Sequence, residues 1–402
     1  MIKTPSITRL LFFSITWFVI ACSDDNNPPP VVEKVLVESV KIESRTAQQL
    51  KTLVQFSGRD IDPSIMKYNV NTYRVTYKTT YKGDEIVASG VIALPFTTDQ
   101  VGMVSVQHGT IVQQTDAPSA QGAGSFDLVV YAAMASSGFI VVVPDMIGFG
   151  QSKNIFHPYY VEEAIAQAIV DNVRAAAELA EDDDVSFNNR LFLAGYSEGG
   201  YATMAAHKAI EAEPIKDIDL VASFPAAGGY DIQAMQHYIF NQDQYPQPYY
   251  LAYVARSYQL YYEKSGLLAD FFNEPYVSRI PNLFDGITSA GNINVQLSNR
   301  MGELIREDLR LNLDTDTRYA YIRNAFAENS LTDWAPSIPM YMYHGQQDTT
   351  VPYENSVTTY QKLIANGTSA ETLKFIPLPG KDHTTGIDPY IDDVIKKMQQ
   401  LK

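Results

Sequence analysis

The sequence predicts an α/β fold: a mostly parallel central sheet with helices on both faces, an N-terminal antiparallel hairpin and a helical cap insertion. Three observations carry this. Six short apolar runs, Met103–Val106, Phe139–Val143, Leu191–Ala194, Leu220–Phe224, Met340–Tyr343 and Leu373–Ile376, alternate with helix-like stretches. Strands that are apolar throughout belong to parallel sheets whose two faces are covered by crossover helices. Upstream, Tyr73, Val75, Tyr77 and Thr79 alternate with Arg74, Thr76 and Lys78, and a Lys82-Gly83 turn leads into the apolar run Ile86–Leu94, a hairpin pattern. Residues 226–337 then interrupt the strand–helix alternation with helix-like, Tyr-rich sequence.

The chain has 402 residues, 46% of them hydrophobic, enough for one large domain or two with an ample core. With 30 Lys and Arg against 46 Asp and Glu its formal charge is −16, which argues against a nucleic-acid partner because phosphate neutralisation needs a basic surface. A single Cys excludes an intramolecular disulfide and any multi-Cys zinc site.

Residues 1–21 read as a signal peptide. Lys3 and Arg9 precede an apolar run from Leu10 to Ile20, which as a helix is about 16 Å long against about 30 Å of bilayer hydrocarbon. It is too short to span and matches a secretory h-region. Val19-Ile20-Ala21-Cys22 resembles a bacterial lipoprotein box, cleaved before a Cys22 that is then lipidated, and Ser23-Asp24-Asp25-Asn26 resembles the acidic surface-export signal of Bacteroidetes-type lipoproteins. The plainer alternative is an ordinary cleaved signal peptide. The resemblance implies an extracytoplasmic protein, lipid-anchored to the bacterial outer membrane and surface-exposed. Residues 22–34, with the run Asn26-Asn27-Pro28-Pro29-Pro30, read as an extended tether. Residues 35–225 and 338–402 form the expected core, with β-type patterning from Val31 to about Pro95 and helices over Val161–Glu181 and Tyr201–Glu211. Residues 226–337 form the expected cap. Glu181-Asp182-Asp183-Asp184 reads as a solvated loop after a helix.

The chemistry concentrates at Gly195-Tyr196-Ser197-Glu198-Gly199-Gly200, between the apolar run ending at Ala194 and a helix with Ala202, Ala205, Ala206, Ala209 and Ile210 on one face. That is the setting of a nucleophile elbow: small residues permit a tight strand-to-helix turn, and the helix N-terminus offers donors and a dipole suited to developing negative charge. A serine hydroxyl needs a base and an orienter for that base. Asp348, in His344-Gly345-Gln346-Gln347-Asp348, and His383, in Pro379-Gly380-Lys381-Asp382-His383, each follow an apolar strand, at the strand ends where open parallel sheets bind ligands.

From about Val101 onward the chain resembles an α/β-hydrolase: the order Ser197, Asp348, His383 is that superfamily's. Asp145-Met146-Ile147-Gly148-Phe149-Gly150-Gln151-Ser152 resembles its D-x-x-G-x-G-x-S loop, and His108-Gly109-Thr110 its H-G-x turn. Among subfamilies the chain looks most like bacterial extracytoplasmic esterases and secretory lipases. The resemblance implies a carboxylic ester hydrolase (esterase or lipase) in which Ser197 is the nucleophile, His383 the general base and Asp348 its orienter. The backbone N–H groups of Glu198 and Thr110 are then the oxyanion donors. It implies a small-molecule, lipid or glycan ester as substrate; no cofactor is expected, and with no carboxylate–His spacing of metal type no catalytic metal is expected either. Asp382 adjoins His383, but neighbouring residues rarely face one another, so Asp348 is preferred. Asp145 reads as a structural loop residue, His108 and His344 as braces of strand ends, and His157, His207 and His237 belong to no motif.

Tyr230, Tyr238, Tyr245, Tyr249, Tyr250, Tyr253, Tyr258, Tyr261 and Tyr262 crowd the start of the insertion. The insertion is positioned as a lid over the triad, and most of these rings are expected to pack the cap's own core with hydroxyl tips in water. Two other functions use the same features: a serine peptidase of prolyl-oligopeptidase type, disfavoured because the chain lacks length for a propeller, and a glycan-binding surface lipoprotein without turnover, disfavoured by three intact catalytic groups.

Overall fold

The computed structural model describes Met1, residues 34–57 and residues 62–402. Residues 2–33, which hold the rest of the expected signal peptide and the tether up to residue 33, Cys22 included, lie outside the described residues.

Nine strands form one sheet: β1 (Leu36–Arg45), β2 (Asn69–Tyr81), β3 (Asp84–Phe96), β4 (Val101–Gln107), β5 (Phe139–Pro144), β6 (Phe187–Tyr196), β7 (Asp219–Ala226), β8 (Met340–Gly345) and β9 (Leu373–Leu378). Their order across the sheet is β1-β2-β3-β5-β4-β6-β7-β8-β9. The first three pair antiparallel, β3 meets β5 antiparallel, and from β5 to β9 every pairing is parallel. All six predicted apolar runs are strands of the parallel part.

The β2–β3 hairpin turns at Lys82 (φ 55°) and Gly83 (φ 86°), two successive left-handed residues that match the twist of the flanking strands. Tyr73, Val75, Tyr77 and Thr79 are buried as the alternation requires, while Arg74 is exposed. One element in this β-patterned region is different. Ala47–Ser57 is a helix, α1, buried through Leu50 and Val54. Its start is a capping box: the Gln49 backbone N–H donates to Thr46 Oγ1 (3.2 Å) and the Thr46 N–H to Gln49 Oε1 (2.8 Å).

Helices α2 (Phe126–Ser136), α3 (Glu162–Asp182) and α4 (Glu198–Ala212) make the crossovers. On one face of the sheet α3 buries Ile165, Ile169, Val173 and Ala176 beside α4 and the insertion. On the other, α1 and α2 pack with the C-terminal helix Ile387–Leu401 through Leu50, Ala132, Phe192 and Val394. The insertion between β7 and β8 is helical, from Ile232–Phe240 and Pro248–Tyr261 to Ala320–Glu328. Tyr230, Tyr245, Tyr253 and Tyr258 are buried there. Their hydroxyls do not all end in water as expected: Tyr245 donates to the Thr350 carbonyl (2.8 Å) and Tyr258 to the Tyr160 carbonyl (3.0 Å), fastening the insertion to the core.

Between β4 and β6 the chain's winding reverses: β4 leads outward to β5 on one side, β6 to β7 on the other. Crevices for ligands open at such switch points, beyond the carboxyl ends of the strands. Here the turn from β6 into α4 is so tight that a methyl group at Gly199 would lie 2.1 Å from the Gln107 carbonyl oxygen, and one at Gly200 2.1 Å from that of Ala226. Both obstacles are backbone and cannot swing away. Gly200→Ala is therefore expected to lower unfolding free energy by about 3 kcal/mol or more in urea titration. Gly122→Ala, whose added methyl meets nothing within 4 Å, is expected to change it by less than about 0.5 kcal/mol.

Candidate active site

Ser197 caps α4 with φ 61° and ψ −124°, outside the comfortable range of a non-glycine residue. The conformation is held by three backbone bonds: Ser197 N–H to Ala226 O (2.9 Å), and Gly200 N–H (2.9 Å) and Tyr201 N–H (3.1 Å) to Ser197 O. The turn lifts the side chain off the end of β6, where its Oγ lies 2.9 Å from His383 Nε2. His383 Nδ1 lies 2.6 Å from Asp348 Oδ2. Nδ1 facing a carboxylate carries the proton, so Nε2 is the lone-pair nitrogen that accepts from the serine hydroxyl. The structure thus joins Ser197, His383 and Asp348, from three separate loops, in one line of hydrogen bonds.

Asp348 is itself held firmly. Its Oδ1 accepts from the backbone N–H groups of Thr350 (2.9 Å) and Val351 (3.0 Å), and its Oδ2 also accepts from His344 Nε2 (3.1 Å). Burial pushes its carboxyl up, but the hydrogen bonds from His344 and His383 and their charges outweigh this and hold it below the usual carboxylate value. His344 therefore braces a strand end, as read from the sequence, and also holds the Asp348 carboxylate. His108 braces likewise, with Nδ1 2.8 Å from Gly109 O and Nε2 3.2 Å from Asp145 O. Asp145 is fully buried and accepts from the Ser119 N–H (2.7 Å), the Ser119 hydroxyl and the Ser89 hydroxyl (2.5 Å), a structural loop carboxyl whose pKa burial raises. Asp382 accepts from Thr384 and Thr385 in its own turn.

The two expected oxyanion donors flank Ser197. Glu198 is the first residue of α4, so its N–H has no acceptor within the helix. Thr110 follows β4 in the turn whose Gly109 would, with a methyl group, stand 3.8 Å from Ser197 Cβ. Its hydroxyl shares a hydrogen bond with Tyr159 OH (2.9 Å).

Sequence reasoning assigned no role to His157, and the structure gives it one. Its Nε2 lies 2.6 Å from Glu198 Oε1 and its Nδ1 2.6 Å from the Ile147 carbonyl, and both side chains are buried. The carbonyl can only accept, so Nδ1 carries a proton. The second contact also needs a hydrogen, borne by Nε2 or by the carboxyl. Either way the pair is net neutral. Glu198 thus keeps its buried side chain next to Ser197 as half of a net-neutral pair. No spacing in the sequence links residues 157 and 198; the contact comes from the Gly148 loop folding back over α4.

Two cavities meet at Ser197. One, of about 410 Å³, is bordered by the His108–Ile111 turn, His383, α2 and the C-terminal helix. The other, of about 50 Å³, enters the insertion between Tyr159, Tyr160, Ile232 and Tyr250. Among the described residues no three His, Cys, Asp or Glu side chains converge as metal ligands, and no helix is long and apolar enough to cross a membrane.

Residues 114–240, which include Ser197 but neither Asp348 nor His383, match the model of the secretory lipase family. No curated protein matches the chain in sequence. Among solved structures it is similar to a putative hydrolase from Legionella pneumophila (24% identity, TM-score 0.81, covering 92% of this chain and 98% of that one). It is similar also to the rice cell wall degrading esterase LipA from Xanthomonas oryzae (22%, TM-score 0.78, 92% and 99%). Candida antarctica lipase A in its closed state is more distant (17%, TM-score 0.63, 88% and 78%). With its sheet order, its strand-to-helix elbow and these neighbours, the chain is an α/β-hydrolase in fold, similar to the secretory lipases over residues 114–240.

Proposed function

We propose that the protein is a serine hydrolase that cleaves carboxylic esters through an acyl-enzyme, and that it acts outside the cytoplasm, anchored through a lipidated Cys22. The observation that carries the first part is the unbroken line Ser197 Oγ–His383 Nε2, His383 Nδ1–Asp348 Oδ2, at 2.9 and 2.6 Å. The match to the secretory lipase family and the likeness to an esterase and a lipase support it.

In the proposed reaction His383 takes the hydroxyl proton as Ser197 Oγ attacks the ester carbonyl. The carbonyl oxygen becomes an oxyanion between the Glu198 and Thr110 amides, while Asp348 stabilises the imidazolium. The C–O bond to the alcohol breaks, and the leaving oxygen takes the proton from Nε2. Water enters, gives its proton to His383 and attacks the acyl-enzyme. Collapse of the second tetrahedral species returns the proton to Ser197 and releases the acid.

The N-terminal part rests on the lipoprotein-box resemblance of Val19–Cys22 and on the family's secretory character. Buried acyl methylenes each contribute about 0.8 kcal/mol, so several chains on one Cys anchor firmly.

Ser197→Ala is expected to lose turnover of p-nitrophenyl esters down to the residual left by binding and oxyanion donors, and equal activity in both proteins would remove the hydrolase reading. Asp348→Asn is expected to keep the fold and lower kcat by about 10⁴-fold, because the amide no longer enforces the Nδ1-protonated tautomer. Turnover of peptidyl anilides but not of esters would shift the reading to a peptidase. For the anchor, Cys22→Ser expressed in an outer-membrane host should move from the membrane fraction to the soluble extracytoplasmic fraction. Unchanged fractionation would refute lipidation.

A further inference from the structure

The larger cavity at Ser197 is not where the insertion would put it. None of its wall residues belongs to 226–337. It runs instead between α2 and the C-terminal helix, walled by Val130, Tyr131 and Met134 on one side and Ile391, Val394 and Ile395 on the other. The insertion borders only the narrow cavity, and that cavity touches Ser197 but not His383.

Stereochemistry distinguishes the two. When the tetrahedral intermediate collapses, the leaving oxygen must receive its proton from His383 Nε2, so it lies against the imidazole. The group it carries then extends into the space that the imidazole borders. His383 and Thr384 border the wide cavity only. The acyl carbon leaves the reacting centre in another direction, and the narrow opening beside Ser197 is free to take it.

Size and chemistry describe the occupant. A volume of about 410 Å³ falls in the range that encloses a ring-containing small molecule, and a methyl or ethyl group would leave most of it filled with water. The walls supplied by Val130, Met134, Ile391, Val394 and Ile395 are aliphatic. Two tyrosines of the cavity lining carry hydroxyls that make no hydrogen bond with any described residue, Tyr196, whose hydroxyl is buried, and Tyr131 on the α2 wall; Asp116, Gln121 and Asp127 line the cavity as well. We propose that the cavity between α2 and the C-terminal helix is the alcohol subsite. Its natural substrates are esters of a bulky, ring-containing, largely apolar alcohol bearing a polar substituent that Tyr131 recognises. This rests on the hydrolase reading above and adds which half of the ester lies where.

The test uses three butyrates with leaving alkoxides of similar basicity: methyl, 2-(2-naphthyl)ethyl and its 6-hydroxy derivative. The full-length protein is compared with Val130→Trp and Ile391→Trp, two partly exposed wall positions, and with the near-isosteric Tyr131→Phe. The wild type is expected to favour the naphthylethyl ester over the methyl ester in kcat/KM, and each Trp variant to cut that ratio at least tenfold. Tyr131→Phe should reduce only the advantage of the hydroxylated ester, by about threefold to tenfold. Because the three esters give the same butyryl-enzyme, stopped-flow traces separate the steps, and the loss must fall on acylation alone. If a Trp variant fails to fold, Ile391→Ala takes its place, with the ratio expected to rise for alcohols larger than naphthylethyl. Variants that alter deacylation, or the preference among methyl esters of acids of increasing length, would put the acyl group in this cavity and overturn the assignment. So would wall variants that keep the wild-type ratio. A wild type that turns over the three butyrates with no regard to the alcohol refutes the subsite alone, whereas one that hydrolyses no ester refutes the hydrolase reading itself.

Discussion

Ser197 holds a backbone conformation, φ 61° and ψ −124°, that costs a non-glycine residue about 1–3 kcal/mol and persists only where its surroundings leave no alternative. Here the surroundings are Gly195, Gly199 and Gly200. Each sits so close to backbone or to a neighbouring side chain that a methyl group would have to occupy filled space. Without side chains, β4, β6, β7 and the first turn of α4 approach one another closely enough for the Ala226 carbonyl to hold the Ser197 amide. The rest of the site is built around that turn. His383 and Asp348 need only reach the spot where the strained hydroxyl points, and the loops after β8 and β9 end there.

Support for the site is layered. Asp348 accepts four donors, two from backbone and two from imidazoles, so its orientation does not depend on His383 alone. Glu198 is neutralised by His157, and His157 in turn packs against Phe149, Tyr159 and Tyr253. Tyr159 stacks on Tyr253 (centroids 4.3 Å apart, 11° between planes), and Tyr253 on Phe284 (4.6 Å, 19°). This file of rings runs from the hydroxyl that holds Thr110 into the insertion, so the insertion bears on the His108-Gly109-Thr110 turn through aromatic contacts.

Much of this was legible in the residues. The six runs mark the parallel strands because burial on both faces of the inner ones leaves few polar positions, the small Ser105 and Ser223 among them, and the hairpin declares itself by alternation and by Lys82-Gly83. Ser197, Asp348 and His383 could be singled out because each follows a strand in a recognisable local pattern. Helix α1 was hidden: it buries only Leu50 and Val54, one short apolar stripe, and its clearest signal, Thr46 with Gln49, is a capping box easily lost in a β-patterned stretch. The His157–Glu198 pair was not legible at all, since a contact between residues 41 apart depends on how one loop folds over α4. The same holds for the wide cavity: the Tyr-rich insertion drew attention to itself by composition, while the space beside His383 comes from the distance between two ordinary helices.

The two outermost strands have a consequence of their own. β1 shows charged Glu38, Lys41, Glu43 and Arg45 and breaks register with β2 twice, and β9 carries Pro377 and Lys374. Proline offers no amide hydrogen, and lysines and irregular pairing discourage a neighbour from laying its own backbone alongside. Both margins of the nine-stranded sheet are thereby poor templates for a further strand, which discourages crowded copies of the molecule from zipping together along them.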